Sequence, residues 1–190
     1  MREADVVRAA LAEAAALIGA LAVDRVEPIV QAAGAIRVAL ERGGTVLAFG
    51  NGGSAADAGH LAAELVGRFR RERAGLPAIA LTADAAVVTS IANDYGFDRV
   101  FARQIEALGR AGDVAVALTT TGASANVNRG VDAARQRGLV TIGLTGRDGG
   151  ETGRLVDLHV NIPGADTARV QEAQRVVLHV LCDLVERDRG

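Results

Sequence analysis

The sequence contains no lysine, no tryptophan and only one cysteine. Because all 21 basic residues are arginines, the chain can form no lysine Schiff base and has no lysine for a Walker-type phosphate loop. The lone Cys182 cannot form an intrachain disulfide, and one thiol is too few for a cysteine-rich zinc module. We therefore expect any anion to be bound by arginine, hydroxyl groups or backbone amides, and the compartment to be a reducing cytoplasm.

Aromatic residues and net charge are also scarce. Aromatics make up 3% of the 190 residues, whereas hydrophobic residues make up 49%, so alanine, valine and leucine must build the core of what we expect to be one domain. The net charge of −2 argues against a general nucleic-acid-binding protein.

Two helices are predicted before the first strand. Apolar residues recur at helical spacing from Glu3 to Val23, and a second helix is expected from Pro28 to Arg42, where Gly43 and Gly44 end it. The apolar faces of these helices pack either onto the same chain or onto another subunit. Because acidic residues, including Glu13, interrupt the first helix, we expect neither a signal peptide nor a membrane span.

From Thr45 onwards, short β-branched runs alternate with helical segments. This pattern predicts an open α/β fold with a parallel sheet covered on both faces, and such sheets bind ligands beyond the carboxyl ends of their strands. The predicted strands are Thr45–Phe49, Ala78–Leu81, Asp113–Leu118, Val140–Leu144 and Leu158–Ile162. The predicted helices are Ala55–Arg70, Ala86–Asn93, Asp98–Leu108, Ala125–Arg137 and Thr167–Arg187.

A glycine-rich loop, GNGGSAAD, follows the first predicted strand. Its glycines allow a ligand to approach the backbone, and Ser54 is expected to cap the next helix together with Asp57. The loop partly matches a dinucleotide-binding fingerprint. However, the acidic residue expected about 20 positions later is missing, so we expect no nucleotide cofactor.

A hydroxyl-rich loop, TTTGASAN, follows the third predicted strand. Hydroxyl groups and unpaired amides at the start of a helix can bind phosphate without a cation. An ordinary capped turn is the alternative, since serine and threonine are common at such positions. The four hydroxyls within six residues favour the phosphate site.

Few side chains are candidates for acid–base chemistry. His60 and Glu64 are one helical turn apart and share a face, either as a surface pair or as part of a site. Gln171 and His179 lie on the last predicted helix, where His179 could equally be a core histidine. His159, in the last strand, is interpreted as structural.

Several separated motifs resemble the sugar isomerase (SIS) domain family. They are GNGGSAADAGHLAAELVGRF, IANDYGF, TTTGASANV, LTGRDGG and TARVQEAQRVVLHVL, in that order along the chain. Within the family, the resemblance is strongest to enzymes that convert D-sedoheptulose 7-phosphate to D-glycero-D-manno-heptose 7-phosphate through an enediol. It implies one SIS domain over residues 1–190, with a helical segment at 1–44 and a flavodoxin-like five-stranded core at 45–190. It also implies a homotetramer with shared active sites.

The resemblance also assigns roles to individual residues. Glu64 is implied as the base and His179 as its acid–base partner. The implied ligands of one zinc ion per subunit are His60, Glu64, Gln171 and His179. The implied substrate-binding residues are Asn51, Gly52, Gly53, Ser54, Asn93, Asp94, Thr119, Thr120, Thr121, Ser124 and Gln171.

Three departures from the family pattern bear on sugar specificity. They are the Thr119–Thr121 run where Ser-Thr-Ser is common, Ala168 where some members have aspartate, and Gln174 where histidine is common. Two other functions remain open: isomerisation of another phosphosugar, and a non-catalytic SIS adaptor that binds a replication initiator. Because an adaptor needs no acid–base pair, the presence of both Glu64 and His179 favours an enzyme.

Overall fold

The computed structural model describes residues 2–187, which form a parallel five-stranded sheet with helices on both faces. The strands are β1 (Val46–Gly50), β2 (Ala78–Ala80), β3 (Val114–Leu118), β4 (Val140–Gly146) and β5 (Leu158–Ile162). The helices are α1 (Glu3–Asp24), α2 (Val26–Glu41), α3 (Gly53–Val66), α4 (Ala85–Tyr95), α5 (Val100–Leu108), α6 (Ala125–Gln136), α7 (Gly150–Leu155) and α8 (Thr167–Glu186). A 3-10 turn, Phe97–Arg99, joins α4 to α5.

The sheet has the order β2-β1-β3-β4-β5. Val46 of β1 is in register with both Ala78 of β2 and Val114 of β3, so the two neighbours of β1 run alongside it from the same end. The chain order reverses between β1 and β3, which makes the carboxyl ends of these two strands the expected ligand position. This topology confirms the predicted flavodoxin-like α/β fold.

Each face of the sheet has its own hydrophobic core. Helices α2, α3 and α8 cover one face, where Ile36, Leu61 and Leu178 are almost fully buried. Helices α4, α5 and α6 cover the other face, where Phe49 packs against Phe101 with ring centroids 5.2 Å apart. Both faces of β1 and β3 are therefore enclosed, which explains why these strands consist entirely of apolar residues and glycine.

Helix α1 contributes little to either core. It is long and apolar enough to cross a membrane by length and composition alone, and it lies near the N-terminus with little of its surface buried. Its side chains at Val7 and Leu11 are 57% and 66% exposed. The structure therefore leaves a large apolar surface on the first helix, and the neighbouring α2 adds Val26 and Val30 to it.

The structure differs from the sequence prediction in three local features. Helix α3 begins at Gly53 instead of Ala55 and ends at Val66 instead of Arg70. Its N-cap is Gly52, with φ +57°, and no side chain caps the helix. Ser54 and Asp57 therefore form no capping box; both are buried inside the helix. Helix α7, only six residues long, was not predicted because one and a half turns show no helical periodicity.

Candidate active site

The loops that follow β1 and β3 lie side by side. Asn51, in the first loop, and Asn126, in the first turn of α6, exchange two side-chain hydrogen bonds of 2.8 Å. This pairing of two amides fixes the position of the glycine loop relative to the hydroxyl loop. The sequence placed both loops at the carboxyl ends of strands, and the sheet order brings them together because β1 and β3 are neighbours; nothing in the sequence indicated this amide pair.

Helix α8 lies against the start of α3. A Cβ atom at Gly53 would collide with the amide end of the Gln171 side chain, so glycine leaves the space that this side chain occupies. A cleft of about 440 Å³ opens beside this contact. Its lining residues are Gly53, Ala56, Asp57, Gln171, Glu172 and Arg175. The cleft is the size of a small-molecule site and includes two of the residues predicted to bind substrate.

The charged pair in this cleft, Asp57 with Arg175, was not predicted. The Arg175 guanidinium donates through Nε and Nη2 to Oδ1 of Asp57, whose side chain is almost fully buried. The two residues are 118 positions apart in the chain, so no sequence pattern links them. The pair joins α3 to α8 at the wall of the cleft.

The hydroxyl loop is shaped by its first threonine. Thr119 is buried, and its Oγ1 accepts hydrogen bonds from the amides of Thr121, at 3.3 Å, and Gly122, at 3.1 Å. Thr120, Thr121 and Ser124 are only partly buried. Ser124 occupies the N-cap of α6 but makes no side-chain capping bond. Three hydroxyls and the start of α6 therefore remain accessible for an anion, whereas the oxygen of Thr119 holds the loop together.

A neighbouring loop supports the hydroxyl loop from behind. Gly122 has φ +66°, and a Cβ atom there would collide with the carbonyl of Gly149. Thr152, at the start of α7, donates through its amide and its hydroxyl to the carbonyl oxygen of Gly122, at 3.0 and 3.2 Å. The same hydroxyl lies 2.5 Å from Oδ1 of Asn128 on α6. The conformation of the hydroxyl loop thus depends on contacts from α7.

Three candidate acid–base side chains meet between α3 and α8. Nε2 of His60 lies 2.9 Å from Nε2 of His179 and 3.4 Å from Oε1 of Glu64. The side chains of His60 and Glu64 are only 29% and 22% exposed. The chain by itself therefore brings these three residues together, with one imidazole donating a hydrogen bond to the other.

The surroundings of His179 lower its pKa and so favour the neutral imidazole. Burial lowers the pKa of His179, and the adjacent His60 lowers it further, while Glu64 acts in the opposite direction. The ring of Phe69 stacks on that of His179 with centroids 5.3 Å apart. A neutral imidazole next to a carboxylate can accept a proton at one nitrogen and release one from the other, as acid–base catalysis requires.

The remaining predicted residues lie elsewhere. Asn93 and Asp94 are exposed near the end of α4, where Asn93 Nδ2 donates to Asp94 Oδ1 at 2.8 Å. Helix α4 covers the face of the sheet opposite α3 and α8, so the described chain does not bring this pair to the His60–His179 contact. His159 is 2.7 Å from Thr145 Oγ1, and burial lowers its pKa, in keeping with a structural role.

Gln174, one of the departures from the family pattern, does not face the cleft. It is completely buried, and its Nε2 donates to the carbonyl oxygens of Thr119 and Leu144 at 3.1 and 3.0 Å. Gln174 therefore ties α8 to the ends of β3 and β4.

The donor set between α3 and α8 has the chemistry of a zinc site. Two imidazole nitrogens and a carboxylate are common zinc ligands, and the two facing Nε2 atoms present lone pairs or protons to the same space. Across residues 2–187, however, no group of three or more His, Cys, Asp or Glu side chains is already arranged to hold a metal ion. The residues fit zinc by type, and binding would require them to adjust.

Comparison with known proteins identifies the family. Residues 11–146 match the SIS domain. The phosphoheptose isomerase of Geobacter metallireducens is 55% identical over 155 residues, covering 82% of each chain, and that of Aquifex aeolicus is 52% identical over 160 residues, covering 84% of each.

Two solved structures have the same fold. The phosphoheptose isomerase of Neisseria gonorrhoeae has a TM-score of 0.93 at 44% identity and covers 98% of this chain and 100% of its own. The enzyme from Francisella tularensis has a TM-score of 0.96 at 35% identity, with coverage of 99% and 100%. These matches span nearly the full fold described above. The chain therefore belongs to the SIS domain family and, within it, to the phosphoheptose isomerases.

Proposed function

We propose that this isomerase converts D-sedoheptulose 7-phosphate to D-glycero-D-manno-heptose 7-phosphate through an enediol. The observation that carries the proposal is the contact of Glu64, His60 and His179 between α3 and α8. An aldose–ketose isomerase needs one group that moves a carbon-bound proton and another that moves protons between oxygens. The carboxylate and the neutral imidazole provide these two groups, and membership of the phosphoheptose isomerases gives the substrate class.

In this mechanism the proton count balances over two steps. Glu64 removes a proton from C1, which gives the enediolate with its charge on the C2 oxygen. The imidazole of His179 then takes the proton from the oxygen on C1 and passes a proton to the oxygen on C2, while Glu64 returns its proton to C2, which gives the aldose. Both residues end in their starting states, so no nucleotide or redox cofactor is consumed.

The hydroxyl loop is proposed to bind the phosphate. Thr120, Thr121 and Ser124 would donate hydrogen bonds to it, together with amides at the start of α6. Thr119 would support this loop from within. The glycine loop, Asn51 to Ser54, and Gln171 would line the sugar, with Asn93 and Asp94 contributing where subunits share a site.

Zinc is the proposed metal, at one ion per subunit. His60, Glu64, Gln171 and His179 would hold it, and when bound it would supply a Lewis acid that polarises substrate oxygens. Elemental analysis of tag-free protein should find about one zinc per subunit, and His60→Ala should abolish it. Wild-type protein purified without chelators that contains no stoichiometric zinc would contradict the assignment.

We further propose that one SIS domain spans residues 1–190 and that it assembles as a homotetramer in the cytoplasm. The exposed apolar residues of the helical segment 1–44 support an interface between subunits, because a soluble enzyme needs such a surface covered. An all-apolar groove of about 370 Å³ between α1, α2 and α8 supports the same interpretation. We propose neither a membrane nor a nucleic acid as partner.

The test is incubation of the protein with sedoheptulose 7-phosphate, followed by NMR of the products. We expect the aldose product from wild-type protein and at least a hundredfold lower turnover from Glu64→Gln, because the amide cannot act as a base. Glu72→Gln, on a side chain that is 91% exposed, is the control and should retain activity. Turnover of a different phosphosugar only, or of none, as expected for the adaptor alternative, would refute the proposal.

A further inference from the structure

A buried ion pair lies directly behind the candidate acid–base residues. Arg73 follows α3, in the segment that returns the chain to β2, and Glu186 is the last residue of α8. Their side chains are 2% and 0% exposed, and Arg73 contacts Glu186 Oε1 at 3.0 Å. None of the chemistry proposed above uses either residue.

Both oxygens of Glu186 are fully engaged. Oε1 accepts the amide of Phe69 at 2.7 Å as well as the Arg73 side chain, and Oε2 accepts the amides of Arg70 and Arg71 at 2.9 and 3.0 Å. Three consecutive amides of an irregular segment are therefore attached to the end of α8. Among them, Phe69 carries the ring that stacks on His179.

Arg73 attaches the same segment to the end of α3. Its Nη1 donates to the carbonyl oxygens of Leu65, Gly67 and Ala74, and its Nη2 donates to the carbonyl of Glu64 at 2.8 Å. The last turn of a helix leaves such carbonyls unpaired, and here one guanidinium satisfies several of them. Arg73 thereby holds the backbone of Glu64. Glu186 holds the amide of Phe69, whose ring stacks on His179.

We propose that Arg73 and Glu186 are positioning residues for the isomerisation, which set the distance between Glu64 on α3 and His179 on α8. The inference rests on the proposed function, since it concerns the geometry of those two groups. Glu186 lies two helical turns beyond His179 on nearly the same face of α8. The ion pair therefore contacts Glu64 directly, through Arg73, and His179 through one residue, Phe69. Because removal of one partner of a buried ion pair also destabilises the fold, comparison with a second buried carboxylate separates positioning from stability.

A second buried carboxylate, outside these contacts, provides the matched control. Asp113 is 5% exposed and accepts the amides of Thr45 and Arg110, each at 2.8 Å, at the amino end of β3. Like Glu186, it holds loop backbone through a carboxylate. Unlike Glu186, it bonds to Thr45 and Arg110 and not to the segment that carries Phe69 or to the end of α3. Asp113→Asn therefore reports the effect of destabilisation alone.

Steady-state kinetics of Glu186→Gln test the proposal. We expect kcat to fall by about ten- to a hundredfold while KM changes by less than about threefold, because the phosphate and sugar loops are held by other contacts. Asp113→Asn should keep kcat within about twofold, measured at a temperature where both variants are folded. If Glu186→Gln does not fold, Arg73→Lys replaces it, since lysine keeps the charge but cannot reach the same set of carbonyls.

NMR of the histidine rings gives a readout that does not depend on turnover. The chain has only three histidines, so their ring signals can be resolved. In Glu186→Gln the signals of His60 and His179 should shift, while that of His159, which bonds to Thr145, should not. If wild-type protein has no activity on sedoheptulose 7-phosphate, the proposed function fails. The ring signals then still test whether Glu186 positions His179. A folded variant with wild-type kcat and unchanged ring signals would overturn the proposal.

Discussion

At the scale of single residues, Glu186 has a strongly altered acidity. Burial acts to raise its pKa, but hydrogen bonds from the amides of Arg70, Phe69 and Arg71 and the charge of Arg73 lower the pKa to about 2. The ordinary value is 4.5. The folded protein therefore binds this proton less tightly than the unfolded chain does.

A pH dependence of stability follows from this shift. Because the folded pKa is lowered, the contribution of Glu186 is fully present above about pH 4.5 and is lost as the pH falls towards about 2. Between pH 6 and pH 3, the free energy of unfolding of wild-type protein should fall by on the order of 2 kcal/mol more than that of Glu186→Gln. Urea unfolding at the two pH values measures this difference. The exposed variant Glu72→Gln should behave as wild type. An identical change in unfolding free energy between the two pH values in all three proteins would contradict the lowered pKa of Glu186.

The sequence predicts the partner of a side chain reliably only when the two residues are close together in the chain. Ser54 and Asp57 have the spacing of a capping box, yet the structure buries both and pairs Asp57 with Arg175 on α8. The ion pair forms in place of the capping box because Asp57 is buried, and a buried carboxylate needs a charged or hydrogen-bonding partner. His60 and Glu64, by contrast, are one turn apart on α3, and their proximity was predicted from spacing alone.

At the scale of secondary-structure elements, α7 was not predicted although it supports the proposed phosphate loop. Its Thr152 bonds to the carbonyl of Gly122, and its Glu151 accepts from Asn128 on α6 at 2.7 Å. The long elements were predicted within a few residues because their hydrophobic pattern repeats over several turns or a whole strand. A six-residue helix has too few repeats, and its hydrogen bonds to the hydroxyl loop and α6 join residues 23 to 30 positions apart.

Loss of the α7 support should weaken substrate binding more than turnover. Thr152→Val keeps the volume but removes the hydroxyl, whose single proton is directed between Asn128 Oδ1 at 2.5 Å and the Gly122 carbonyl oxygen at 3.2 Å. We expect KM for the phosphosugar to rise roughly five- to tenfold, as the loss of about one hydrogen bond implies, with kcat little changed. Thr152→Ser, which restores the hydroxyl, should bring KM back close to the wild-type value. An unchanged KM in a folded Thr152→Val variant would show that α7 does not support phosphate binding.

At the scale of the whole molecule, one surface is left apolar. Exposed valines and leucines on α1 and α2 lie next to the groove formed with α8. Monomeric soluble proteins rarely expose such a surface. The site between α3 and α8 also lacks Asn93 and Asp94 in a single chain, because α4 packs on the other face of the sheet. Both observations support an assembly in which neighbouring subunits complete the site.

Charge on the α1 surface should dissociate this assembly. Leu11→Glu places a carboxylate on a side chain that is 66% exposed in the isolated chain, so the monomer fold should be retained. We expect light scattering to show a shift from tetramer to smaller species, with turnover reduced at least tenfold if the sites are shared. Leu108→Glu, at an exposed leucine on α5, is the control and should remain tetrameric. A monomeric wild-type protein would refute the tetramer directly.

The sequence by itself determined the α/β alternation, the two loops at the carboxyl ends of β1 and β3, and the phosphate chemistry expected of a hydroxyl-rich helix start. These are local properties, because periodicity, glycine content and hydroxyl content are read within one segment. Only the tertiary structure decided that His179 meets His60 within one chain, that Asp57 binds Arg175, and that Arg73 and Glu186 join the ends of α3 and α8. Each of these contacts joins residues more than 100 positions apart, and packing of α8 against α3 is what brings them within hydrogen-bonding distance.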